Sequence, residues 1–437
     1  MGEVVVVGGG PSGLAAAYRL QQAGTQVRIL DAADQIGGKL RTSERGGFLV
    51  DQGAFFVPTT HRALLSMARE IGMADEIVPG GFVLGVARDG EIHTIDGDHA
   101  VRDVLRTRLL SPMAKLQAAR LLPEVLKSRR ATYDRMPECG PYDTGTLGEW
   151  ANAHLPSDLV DYLIDTVVRG IFATSAETSP RVDFLAILSL LTGAKLVAFR
   201  GGMGSYADRI SRDLKYDLGA EVTNVEDLGH AARITWRDLG GVSHTEDVAG
   251  CVTAVPAAVT RRLVTTLDPW RDRFLQRIRH GKLVVLNVGL SRPPEAAGAT
   301  YVLVPGLSHS FVTGIMLDHE KAPGRAPAGK GLLSVAVLDS WSEEHWDADD
   351  TLLAALILDG VEQILPGTRD TVEFTEVHRW RQEFATVGYY RDLGRFRQLC
   401  DADGRVQLAG DFRSMSNLDA ATRSGEQAAR ALLSALG

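Results

Sequence analysis

Cysteine is scarce in this chain, and its scarcity removes two classes of protein. The three cysteines, Cys139, Cys251 and Cys400, are odd in number, far apart and form no CxxC pair. Neither a disulfide framework nor a thiolate metal centre is expected, and no metal ligands are assigned. Long apolar runs are also missing: the apolar stretch Phe184 to Ala194 has 11 residues, where a bilayer span needs about 20. No basic excess is present. The formal net charge is -8, which argues against a nucleic-acid partner, since that would call for a basic face. The apolar start reads as a strand entering a glycine turn rather than a secretion signal. A soluble protein of a reducing cytoplasm is expected, and 437 residues imply two domains, or one threaded through another.

What is present is glycine at a telling place. Residues 3–14, EVVVVGGGPSGL, carry GxGxxG as Gly8, Gly10 and Gly13. The valine run reads as a buried parallel strand. The following segment reads as a helix, with Pro11 in its first turn, Leu14 and Tyr18 on one face and Gly24 as its stop. The next strand, QVRIL, ends at Asp31, 18 residues after Gly13. Strand, helix, strand and acid together form a dinucleotide-binding unit. Gly8 permits the tight turn, Gly10 lets a diphosphate approach bare backbone, and Gly13 lets helix and strand pack closely. The helix start around Pro11 and Ser12 then offers unpaired N–H groups to phosphate charge, with Asp31 placed for a ribose hydroxyl.

GxGxxG alone does not separate NAD from FAD. Further along come IGGKLRTSERGGFLVDQGAFFV, with Gly37, Gly38, Lys39, Arg41, Asp51, Gly53, Ala54 and Phe55, then FRGGMGSYADRISRDL from Phe199, and finally VQLAGDFRSMSNLDAATRSGEQAARALL. This ordered set resembles the flavin-dependent amine oxidase and protoporphyrinogen oxidase superfamily nearly end to end. The resemblance implies that Gly37, Gly38 and Lys39 back the FAD diphosphate, that Asp411 after Gly410 contacts the ribityl chain, and that Val225 lies beside adenine. Lysine within GGKLRT looks more like the protoporphyrinogen oxidase branch. The family's GA..SG helix is similar to Ala420, Ala421, Ser424 and Gly425, with alanine replacing the first glycine. The same helix stands on its own residues: Leu418, Ala421, Gly425, Ala428, Ala429 and Leu432 make one small-to-apolar stripe, and its N-terminus would put a positive dipole end near flavin N1.

The fold class expected is α/β, with a Rossmann-like FAD-binding domain built from discontinuous segments and an interleaved α+β substrate domain. The FAD parts are residues 1–84, 196–255 and 386–437; the substrate parts are 85–195, mostly helical, and 256–385, a sheet. Arg106 to Arg130 holds seven Arg or Lys residues against one acid, Glu124, among leucines. Docking on a membrane surface is one account of it, and a solvated helix face is the preferred one.

Hydride transfer from a substrate carbon to flavin N5 needs orientation and exclusion of water more than a dedicated acid or base. Many amine oxidases place a lysine near N5 on a strand of the second substrate block. Here Val285 matches that position, and Lys282, three residues early, falls on the opposite face. This apolar strand looks more like the porphyrinogen-oxidising branch. Trp380 matches a tryptophan packed near the flavin, while Tyr389 and Tyr390 are candidates to flank a substrate; these three are the catalytic candidates. Ala385 stands near a proline common in relatives. Cys400 lies outside the flavin-linking cysteine motif, so noncovalent FAD is expected, and His309 and His378 are isolated. The function implied is FAD-dependent oxidation of a small, largely apolar molecule at a CH–NH or CH–CH bond, with dioxygen or another electron acceptor. A redox-neutral flavin isomerase and a non-catalytic flavoprotein are the alternatives, and a homodimer is compatible with either.

Overall fold

Val4–Val7 is buried on both faces, which is why its sequence is continuously apolar instead of alternating. It is the centre of a five-stranded sheet in the order Lys215–Leu218, Val27–Asp31, Val4–Val7, Gly250–Thr253, Val406–Leu408. Every neighbouring pair is parallel. These strands come from far-apart regions of the chain, so the α/β unit is discontinuous, as the fold class required. The computed structural model describes residues 2–402 and 404–437.

The first helix, Pro11–Gln22, starts directly after the glycine turn. Gly8 has φ +97°, the left-handed region that favours glycine. A Cβ at Gly13 would lie 1.8 Å from the carbonyl oxygen of Gly8, so any side chain there would push helix and strand apart. The terminal helix, Leu418–Leu436, lies against the first. Its contact is close because a Cβ at Gly425 would sit 2.0 Å from the Ser12 carbonyl oxygen. Ala428, Ala429 and Leu432 are fully buried beside it. Asn417 caps this helix, its side chain accepting from the Ala420 amide at 2.8 Å.

A second sheet of seven strands runs in the order Val372–Phe384, Arg279–Leu290, Gly331–Val337, Val312–Leu317, Tyr301–Leu303, Val83–Arg88, Glu91–Asp96. All its pairs are antiparallel except Tyr301–Leu303 with Val83–Arg88. Helix Asp350–Ile364 packs on one face over a core of Leu286, Val335, Ile357 and Val361. Helices between Ala100 and Leu191 form a third body around Leu147, Leu159 and Phe184. Within it, Leu105, Met113, Leu116, Leu122 and Leu126 are exposed; a purely polar solvated face is therefore not what the basic segment presents.

Four ionic side chains, Asp51, Asp318, Lys321 and Arg325, are each about 1% exposed and tie the seven-stranded sheet to the strand pair Thr42–Arg45 and Phe48–Asp51. Lys321 Nζ and Arg325 Nη1 lie 3.2 and 3.1 Å from Asp51 Oδ2, and Asp318 pairs with Lys321. Thr42 Oγ1 and the Met203 amide donate to Asp51 Oδ1 at 2.7 and 2.9 Å. Burial alone would push Asp51 up; Lys321 and Arg325 outweigh it and hold the carboxyl below the ordinary range. Among the described residues, no helix is long and apolar enough to cross a membrane.

Candidate active site

Where the two sheets and the helical body meet lies a cavity of about 330 Å³, within the size range of small-molecule sites. One end is built by the glycine turn and the first helix: Gly10, Pro11 and Ser12 line it. Gly10 has φ -75° and no side chain caps the helix. A Cβ at Gly10 would meet no atom within 4 Å, so the backbone faces open space. Unpaired amides of a helix start beside that space suit a diphosphate.

Further along the wall stand Gly38, Lys39, Gly53, Ala54 and Phe55, then Gly410, Asp411, Leu418 and Ala421 before and at the start of the terminal helix, and Trp380 from the seven-stranded sheet. Trp380 pairs with Leu283 across two antiparallel strands. Its indole N–H donates to the Gln52 carbonyl at 2.6 Å, which fixes the ring. Lys321 Nζ donates to the Phe55 carbonyl at 2.7 Å, so the buried ion cluster also anchors this wall. The other end is apolar, with Phe56, Ile171, Phe172, Ile187, Leu190, Leu283 and Val285.

Lys39 donates to Gln382 Oε1. Enclosure lowers its ammonium pKa, while Asp411 and Glu383 oppose the shift. Glu383 is pushed well above the ordinary carboxyl range, first by burial and then by Asp411; the Ala257 amide and Lys39 act against this. A lysine and a carboxyl both drawn toward neutrality await a counter-charge, and a diphosphate supplies one for Lys39.

His61 also lines the cavity. It is 4% exposed, and neither ring nitrogen has a hydrogen-bond partner. Burial pushes its imidazole down to about 4, against the pull of Asp419, so the ring is neutral and offers one donor and one acceptor. Asp419, in the first turn of the terminal helix, caps helix Arg62–Glu70 at the Ala63 and Leu64 amides. His61 therefore stands where the terminal helix meets the cavity. Together, the open cradle at Gly10 and the partnerless imidazole fit a large polar cofactor such as FAD. Gly10, Pro11 and Ser12 would hold its diphosphate, with Lys39 and Asp411 beside it. When bound, the flavin supplies the two-electron acceptor.

Other motif residues shape the cradle from outside the cavity. Gly8, Gly13 and Gly37 set its turns. The Asp31 carboxylate accepts from the Gly9 amide at 2.6 Å and the Ala33 amide at 2.8 Å. Arg41 turns away to the Gln35 carbonyl at 2.9 Å and to Asp34 at 3.4 Å. Val225 is fully buried and bridges Val264, its carbonyl taken by the Thr265 amide at 3.2 Å; it does not reach the cavity.

The tyrosine pair needs correction. Tyr389 and Tyr390 open helix Tyr389–Cys400 after Gly388 at φ +92°, and that turn sends both rings into the core. They are 3% and 1% exposed and meet edge to face at 4.9 Å. Tyr389 donates to the Phe412 carbonyl, and Tyr390 donates to Asp183 Oδ1 at 2.5 Å. With rings packed and hydroxyls engaged, they do not flank the main cavity as a substrate-binding pair. The aromatic wall of the cavity includes Phe55 and Phe56 instead, with the buried Tyr301 ring behind them at 6.2 and 6.5 Å.

Lys282 turns off the cavity to Glu343 at 3.0 Å and to the Trp346 ring. Cys139, Cys251 and Cys400 are buried, and none lines the cavity. Burial pushes the Cys400 thiol up to about 11, so no reactive thiol is placed to link a flavin.

A dinucleotide cradle opening into an apolar chamber defines a flavoprotein oxidoreductase. The family model described as flavin containing amine oxidoreductase matches residues 11–433, and the chain belongs to this family. It is 42% identical to coproporphyrinogen III oxidase of Propionibacterium freudenreichii subsp. freudenreichii, over 88% of this chain and 82% of that one. It is 24% identical to protoporphyrinogen oxidase 2, chloroplastic/mitochondrial, of Arabidopsis thaliana, over 87% and 83%. The solved structure of cyclohexylamine oxidase from Brevibacterium oxydans IH-35A superposes with a TM-score of 0.79 at 17% identity, covering 99% of each chain. The protein is thus an FAD-dependent oxidoreductase of the class acting on CH–NH or CH–CH bonds.

Proposed function

We propose that this chain oxidises a porphyrinogen, of the coproporphyrinogen III type, to the corresponding porphyrin, with hydrides passing to noncovalently bound FAD. The observation that carries this is the strand Arg279–Leu290, which presents Leu283, Val284 and Val285 to the cavity, while its lysine is held outside by Glu343. A puckered macrocycle with an apolar ring system needs shape and dryness from such a wall where its methylene bridges meet the flavin, not a charged or basic group. Phe55, Phe56 and Trp380 add rings against which a macrocycle can pack. Exposed Arg381 at the cavity rim suits acidic side arms that stay near water. The relative that shares 42% identity carries the name of a coproporphyrinogen III oxidase, which supports the same substrate class. Dioxygen is the acceptor in this proposal, and hydrogen peroxide the by-product.

The test is anaerobic mixing of the flavin-loaded protein with coproporphyrinogen III, protoporphyrinogen IX and a panel of amines. Porphyrinogens are expected to bleach the flavin with the appearance of porphyrin absorbance. Bleaching by an amine alone would overturn the assignment.

A further inference from the structure

Beside the main cavity lies a second, smaller one of about 20 Å³, room for a single water. Glu383 and Asp411 line both. Asp183, Tyr389, Tyr390, Ser414 and Ser416 close its far side. The Ser414 hydroxyl is fully buried and has no hydrogen-bond partner, so this space already contains a polar group for a water to satisfy. Beyond Asp183 the line of acids continues. The Tyr390 amide donates to Asp143 Oδ2 at 2.8 Å, the other Asp143 oxygen is buried without a partner, and the next residue, Thr144, is exposed.

We propose that Glu383 and Asp183, joined across the small cavity and continued by Asp143, carry protons between the flavin chamber and solvent, with Tyr390 as the positioning residue for Asp183. The inference rests on the oxidative function proposed above. Converting a porphyrinogen to the porphyrin takes three two-electron oxidations, in which four C–H and two N–H bonds break. Three hydrogens leave carbon with their electron pairs as hydride to the flavin; the other three, one from carbon and two from nitrogen, leave as protons that must exit the apolar chamber. Glu383 gives its own proton across the small cavity to Asp183, takes up the leaving proton in a new O–H bond, and Asp183 passes a proton outward to Asp143. FAD is the only oxidant the step requires.

The electrostatics suit that task. Asp183 is pushed up to about 7 by burial, with Asp143 adding to the shift and the Tyr390 hydroxyl and Arg279 opposing it. Glu383, facing Asp411, Lys39, His280 and the Ala257 amide, is raised too. Asp143 is raised by burial against the Gly388, Tyr390 and Arg391 amides and the Arg391 charge. Burial that favours the protonated form lets a carboxyl hold a proton, and Asp183, at about 7, can both take and give one at physiological pH. Fully ionised acids could not.

The experiment is light-driven reduction of the bound flavin in the holoenzyme, followed by infrared difference spectroscopy in H2O and D2O and by a pH-indicator dye. No substrate is involved, so its outcome is independent of the porphyrinogen test. The wild type is expected to show carboxyl C=O bands that shift in D2O. Asp183→Asn keeps the hydrogen bond from Tyr390, loses one of these bands and slows proton uptake about 10-fold or more. Asp183→Glu restores the rate, and Tyr390→Phe moves the Asp183 band without removing it. An identical spectrum and an unchanged uptake rate in Asp183→Asn would overturn the proposal, whatever the substrate proves to be.

Discussion

Gly10→Val separates the cofactor cradle from the fold. The residue sits at φ -75° with ψ -176°, a conformation open to any side chain, and its Cβ would enter empty space. The backbone therefore accepts valine. As the residue preceding the first helix, valine caps it less well than glycine, a loss of about 1 kcal/mol against a stability on the order of 5–15 kcal/mol. The isopropyl group fills the volume a diphosphate needs. Displacing the phosphates from two helix amides removes two charge-assisted hydrogen bonds of about 1.5–3 kcal/mol each. FAD binding is then weaker by about two to four orders of magnitude. Gly13→Ala supplies the contrast. Its Cβ would lie 1.8 Å from the Gly8 oxygen, so it costs about 1–3 kcal/mol of overpacking and lowers the melting temperature. Flavin titration by fluorescence quenching and thermal denaturation by circular dichroism read the two effects apart. A Gly10→Val protein that purifies yellow with full flavin content refutes the cradle.

Four further outcomes follow from the charge arrangement. Lys321→Met leaves Asp51 with Arg325 alone and is expected to cost about 3–5 kcal/mol by urea unfolding at neutral pH. Asp51 has a depressed folded pKa, so its stabilisation is present above the ordinary carboxyl value and lost as pH falls through the lower folded value; Asp51→Asn should flatten that acid limb, and an unchanged limb would contradict the ion-cluster account. Burial lowers the Lys39 ammonium in the free protein and a bound diphosphate should raise it, so between the free and bound values FAD binding takes up a proton and its affinity falls as pH rises. Calorimetry in buffers of different ionisation heat measures that uptake, and Lys39→Met should abolish it. His61→Phe keeps the ring but removes both nitrogens, and should weaken FAD by about tenfold, the worth of one hydrogen bond; unchanged affinity would show that the imidazole faces something else.

The cradle was legible because it is local. A valine run, a glycine turn and a helix start are dictated by neighbours in sequence, and Gly8, Gly10 and Gly13 each have the geometry their spacing implies. The terminal helix was legible for a similar reason, since its small residues repeat at helical spacing and the first helix is what they pack on. His61, Glu383 and the Asp51 cluster were not. Asp51 and Lys321 are 270 residues apart, and nothing in either neighbourhood announces the other. The tyrosine pair shows the opposite failure. Motif similarity pointed to a substrate sandwich, but Gly388 starts a helix whose first turn drives both rings into the core, Tyr389 against Phe274 at 5.1 Å and Tyr390 edge to face with Tyr389.

The most direct measurement of the central claim is a crystal structure of the chain with FAD. The account expects the diphosphate against the amides after Gly10, with the isoalloxazine ring reaching past Lys39 toward Val285, Trp380 and the start of the terminal helix. Side chains filling that groove, with the flavin bound elsewhere, would contradict it.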